Sequence, residues 1–148
     1  MEEWVNSVHR NKPEIQEKIL AQETDIRVKF PEAMLTGFEQ LEKKLDLPDP
    51  GDRHVLAAAI HGKVPCIVTD NLKDFPAANL APYGVEAIGS DAFLCRIYDL
   101  YPEKTRDYLS ELRKKYKEPP YSPSEFGEVL DKCRMGEFAK RLRFSEKF

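Results

Sequence analysis

The chain has 148 residues, 41% of them hydrophobic and 33% charged, with a formal net charge of −3. That balance excludes a disordered chain, and no apolar run approaches the ~20 residues that span a bilayer. Cys66, Cys95 and Cys133 lie too far apart for a disulfide framework or a zinc spacing, and the acidic start Met1-Glu2-Glu3-Trp4 lacks the pattern of a signal or transit peptide, so a reduced, cytoplasmic setting is expected.

The charge is unevenly spread. Residues 1–103 hold 11 Lys/Arg against 18 Asp/Glu, and residues 104–148 hold 12 against 8. An acidic body with a basic tail suits a metal site beside a polyanion-binding surface. Charge alone fits two solvated helix faces better.

In chain order, Trp4, Val5 and Val8 recur at helical spacing. Pro13 opens a second helix, Glu14 to about Lys29, with Ile15, Ile19, Ile26 and Phe30 as its inner positions and Pro31 as its stop. Ala33–Thr36 is a short strand candidate ended by Gly37, and Phe38–Leu45 a short helix. Leu47-Pro48-Asp49-Pro50-Gly51-Asp52 is a helix start, with Asp49 as cap and Pro50 at the first helical position. The helix continues through Val55, Leu56, Ala59 and Ile60 to Gly62, its expected stop. Val64–Thr69 is an apolar strand of the buried parallel type, and Pro65 must sit at its beginning.

After the turn Asp70–Pro76, a short helical piece leads to Tyr83-Gly84 and a strand over Val85–Ile88. Amphipathic helices follow over Asp91–Leu100, Pro102–Tyr116, Pro123–Cys133 and Gly136–Arg143. The Pro-rich stretch Glu118–Pro123 divides the chain into a core domain, 1–118, and a helical extension, 119–148.

The central acids are distant in sequence but should meet in space. A dozen helical residues rise roughly 18 Å, and a strand of five or six residues covers about the same length. A tight turn at Gly62-Lys63 therefore returns the strand end to the helix start. Asp52 then faces Asp70, Asn71 and Asp74 at the carboxyl end of a strand, where open α/β sheets bind ligands. Oxygen donors without Cys or His favour Mg²⁺ or Mn²⁺, ions suited to cleaving phosphodiesters. Each residue also has a structural explanation: Asp49 and Asp52 as capping acids, Asn71 and Asp74 as turn residues.

Leu47–Ile60, followed by Ile67-Val68-Thr69-Asp70-Asn71-Leu72-Lys73-Asp74-Phe75-Pro76, resembles the PIN domain, and more narrowly the PIN nucleases of VapC-type toxin–antitoxin systems. The C-terminal helices resemble the extension of one VapC-like subgroup. The resemblance implies an α/β fold, a parallel sheet flanked by helices with a helical C-terminal extension. It implies a Mg²⁺- or Mn²⁺-dependent endoribonuclease acting through metal-activated water, an RNA substrate and a cognate antitoxin.

Residue by residue, the resemblance makes Asp52, Asp74 and Glu3 metal ligands and catalytic acids. Asn71 orients a ligand and substrate, and Arg53 and His54, beside the acids, are candidates for substrate phosphates. The family pattern opens with a strand ending in an Asp, and nothing before Glu3 answers to it. The expected sheet is therefore incomplete at its N-terminal side, with an apolar edge on Val64–Thr69 that invites a homodimer or a complementing segment. The alternative reading is a catalytically defective PIN remnant that binds protein or RNA.

The other signals are weaker. His54 and His61 share a helix face without a carboxylate at metal spacing. Arg113-Lys114-Lys115-Tyr116-Lys117 and Lys140-Arg141-Leu142-Arg143-Phe144 suit RNA phosphates, or simply the negative ends of helix dipoles. Cys66, in mid-strand, is expected to be a small core residue.

Overall fold

The computed structural model describes residues 16–116 and 119–143. The expected opening helix at Trp4–Val8, Glu3, Ile15, the side chain of Ile19, Glu118 and Phe144 lie outside the described residues. Among those residues no helix is long and apolar enough to cross a membrane.

Helix α1 (Gln16–Lys29) forms where expected. Of its expected inner positions, Ile26 and Phe30 do not join a core, being 38% and 53% exposed. Ion pairs one turn apart, Glu23–Arg27 and Asp25–Lys29, line the helix instead. Ala33–Thr36 is not a strand. Pro31–Ala33 forms a 3₁₀ turn and the next residues run on without regular structure. A short extended run becomes a strand only by pairing, and this one meets no partner edge among the described residues. Helix α2 (Glu39–Glu42) is shorter than the expected Phe38–Leu45.

Asp49 caps as expected. Its side chain accepts the Gly51 N–H at 2.7 Å and starts a 3₁₀ turn, Pro50–Asp52, which leads into helix α3 (Arg53–His61). Leu56, Ala57 and Ala59 form the inner face of this helix: Leu56 and Ala57 are fully buried and Ala59 nearly so.

 The alanines let the helix lie close on the sheet. Its end differs in detail from expectation. Gly62 keeps an ordinary φ of −76°, and Lys63 takes the left-handed turn at φ 52°. The Lys63 N–H bonds the Ile60 carbonyl and the Val64 N–H that of Ala59, which closes the helix as a Schellman motif. Gly62 is needed for space: a Cβ there would lie 2.6 Å from Leu35 Cδ1.

Strand β1 (Cys66–Val68) and strand β2 (Glu86–Ile88) pair in parallel, with Ile67 opposite Ala87. Between them come a 3₁₀ turn at Leu72–Asp74, helix α4 (Ala77–Leu80) and a second 3₁₀ turn ended by Gly84 at φ 67°. The Pro65 carbonyl accepts the Glu86 N–H, and Thr69 donates to Ile88. The N–H and C=O groups of Cys66 and Val68 therefore point to the other edge, where no described strand pairs. Burial is less complete than expected. Ile67 is buried, but Val64 and Val68 are 44% and 45% exposed, and Cys66 is only half-buried. Among the described residues, a two-stranded parallel sheet with one edge unpaired and its valines exposed agrees with the α/β sheet that was expected. Leu45, Leu47, Leu56, Ile67, Phe75 and Leu80 form the core of this part.

Helices α5 (Ser90–Leu100), α6 (Pro102–Lys115), α7 (Pro123–Lys132) and α8 (Gly136–Arg143) follow. They share a second core of Cys95, Phe126, Leu130, Phe138, Ala139 and Leu142. Ser122 and Glu125 form a reciprocal capping box at the start of α7.

Candidate functional site

The start of α3 and the turn after β1 do converge. Carboxylate oxygens of Asp49, Asp52 and Asp74 lie within 4.8 Å of one another, with Asp49 exposed and the other two half-buried. Two ligands on opposite sides of a Mg²⁺-sized ion stand about 4 Å apart, so the spacing fits one hard cation with a small adjustment. Three carboxylates and no sulfur or imidazole make a donor set for Mg²⁺ or Mn²⁺ rather than for zinc.

Asn71 stands next to this group. Its Nδ2 donates to Asp74 Oδ2, which fixes the direction of that carboxylate. The Asn71 N–H in turn donates to Thr69 Oγ1 at 3.1 Å, tying the turn to the strand end. Asp70 does something else. Its Oδ1 accepts the Ser90 N–H at 2.9 Å and so caps helix α5. The bonds from Ser90 hold its carboxyl below the usual carboxylate range, and the charge of Arg134 adds to this.

Arg53 and His54 occupy the first turn of α3. The Arg53 guanidinium lies 3.9 Å from Asp46. His54 Nδ1 is 2.7 Å from the Gly51 carbonyl, and since a carbonyl only accepts, Nδ1 carries the proton. His61 is at the far end of the same helix. Glu3 lies outside the described residues.

Most of the two basic clusters are engaged within the chain. Arg113 donates to the Tyr121 carbonyl, and Lys114, Lys140, Arg141 and Arg143 pair with Glu111, Glu137, Asp99 and Asp131.

Sequence reasoning treated Asp49 only as a cap. The signal that it also faces the acids was its i, i+3 spacing from Asp52 across Pro50-Gly51, a turn that presents both carboxylates to one side.

Residues 90–144 match the family model described as the VapC50 C-terminal domain. The chain is 39% identical over 92 residues to a protein of Mycobacterium tuberculosis (strain ATCC 25618 / H37Rv) named "Putative ribonuclease VapC50". That alignment covers 62% of this chain and 54% of the relative, so the chain spans about half the length of the curated relative it matches. No solved structure matches the chain. The chain is thus similar to a protein named as a VapC50 ribonuclease and, over residues 90–144, to the VapC50 C-terminal domain.

Proposed function

We propose that this chain is a VapC-type ribonuclease whose acid cluster takes Mg²⁺ or Mn²⁺ and cleaves RNA phosphodiester bonds. The approach of Asp49, Asp52 and Asp74 to within 4.8 Å carries the reading, and the relative's name supports the substrate class. Asp52 and Asp74 are the proposed ligands, with Asp49 added to them and Glu3 as a further acid. When bound, the cation would polarise a phosphoryl oxygen and lower the pKa of water. Asn71 holds Asp74 in position through its amide. Arg53 and His54, on the first turn of α3, face the same end of the helix and are proposed to meet substrate.

The natural setting of such a protein is a cytoplasmic pair with an antitoxin. The open edge of β1, with Val64 and Val68 exposed, supports a second reading in which the chain serves as a binding module. There a homodimer partner, an antitoxin or a complementing segment supplies the strand.

Calorimetric titration with Mn²⁺, alongside cleavage of a single-stranded RNA with and without Mg²⁺, tests the first reading. Asp52→Asn is expected to weaken Mn²⁺ binding at least about tenfold, and Asn71→Ala by roughly 10–100-fold as a supporting partner of a ligand. Equal Mn²⁺ affinity in wild type and Asp52→Asn would remove Asp52 from the site. Metal binding without RNA cleavage would favour the binding module.

A further inference from the structure

The turn between α7 and α8 carries an arginine in an unusual backbone state. Arg134 has φ 62°, in the left-handed region. Its N–H bonds the Asp131 carbonyl and the Met135 N–H that of Leu130, so it occupies the Schellman position that glycine normally fills. A side chain there is kept at a cost in backbone energy, and such costs concentrate where a side chain has work to do. Lys63 shows that a cation at this position can simply answer the helix dipole. Two observations separate Arg134 from that case.

The first is its location. Asp91 of α5 accepts the N–H groups of Glu137 and Phe138 at the start of α8, at 3.0 and 2.8 Å. The neighbouring Ser90 is bonded to Asp70, next to Asn71. These bonds bring the α7–α8 turn near Asp70, whose carboxyl feels the charge of Arg134. Lys63 lies at the opposite end of α3 from Asp52. The second is its freedom. Every other arginine among the described residues holds a hydrogen bond or ion pair within the chain. Arg134 is exposed and has neither.

A polyanion approaching the carboxylates is repelled, and an exposed guanidinium near Asp70, on the turn that leads to Asp74, offsets that repulsion. Its planar fork also matches a phosphate. We infer that Arg134, supplied by the C-terminal helices, binds an RNA phosphate next to the acid cluster and so positions the strand at it. This rests on the ribonuclease reading above and names a substrate contact that the central domain does not itself provide.

Fluorescence anisotropy of a labelled single-stranded RNA, measured across a salt series, tests it, with Mn²⁺ calorimetry and Tm on the same variants. Arg134→Gly suits the backbone, so its Tm is expected to hold or rise. Its RNA affinity should fall about fivefold to tenfold and its salt slope by about one, with Mn²⁺ affinity unchanged. Arg134→Lys should retain most of the affinity. Wild-type affinity and slope in Arg134→Gly would overturn the inference, as would a fall in Tm and Mn²⁺ affinity that accounts for the loss. If wild type binds Mn²⁺ but not RNA, the ribonuclease reading fails and the role of Arg134 with it. If wild type binds RNA and only the Arg134 variants match it, the inference alone fails.

Discussion

The acid-bearing part around β1 and the helical part from Ser90 onward are built on different terms. The first has one pair of three-residue strands, an unpaired β1 edge among the described residues, and exposed Val64 and Val68. The second closes on itself. Its core centres on Phe138 and Leu142, each 1% exposed, and Asp91, Asp99 and Asp131 each tie one helix to another. Apolar burial and cross-helix ion pairs are concentrated in the helical part, while the part that carries the carboxylates leaves Val64, Val68 and the outer edge of β1 uncovered among the described residues.

Removing the centre of the second core should break the comparison most severely. Phe138 packs edge-on against Tyr98 with ring centroids 6.3 Å apart. Phe138→Ala is expected to cost about 3–5 kcal/mol. Denaturant unfolding followed by amide exchange would locate the loss. Protection should vanish across α5–α8 and persist at Leu56 and Ile67. Equal loss at those two positions would mean that both parts unfold as one cooperative unit.

A smaller effect sharpens how the frame is assembled. Asp91 satisfies two N–H groups at the start of α8, one helix capping another across the sequence. Asp91→Ala should cost about 1–2 kcal/mol, the upper range for a lost cap, and Asp91→Asn clearly less. The measurement is the midpoint shift in urea. If Ala and Asn behave alike, the carboxylate charge contributes nothing beyond shape.

These contacts also mark what could be read from the sequence. Asp49-Pro50-Gly51-Asp52 and Pro123 declare their helix starts locally, because caps and prolines act within one turn. The meeting of Asp52 with Asp74 followed from element lengths alone. By contrast, the exposure of Ile26 and Phe30 depends on whether a packing surface exists, which no helical periodicity reports. Ala33–Thr36 had strand-like residues but no edge to pair with. Gly62 looked like a conformational stop, yet its reason is Leu35, 27 positions away in sequence and 2.6 Å from the missing Cβ. Arg134 offered no signal at all, since its left-handed turn and its nearness to Asp70 arise only from the packing of α7 and α8.

The junction between the two parts gives the mildest test. Arg96 of α5 is ion-paired with Glu86 of β2. The hydrogen bond and charge of Arg96 hold the Glu86 carboxyl below its usual range, against a small opposing effect of burial. A carboxyl whose folded-state pKa is lowered stabilises the fold above its unfolded value, about 4.3. That contribution is lost as pH falls through the lowered value. Acidification below about pH 4 should therefore loosen β2 from α5, while the apolar packing around Phe138 keeps its protection. The pair is solvent-exposed, so the effect on overall stability should be slight. The cleaner readout is the side-chain carboxyl ¹³C titration of Glu86 by NMR. In Arg96→Ala its midpoint should rise toward about 4.3, and an unmoved midpoint would show that the pair does not couple the two parts in solution.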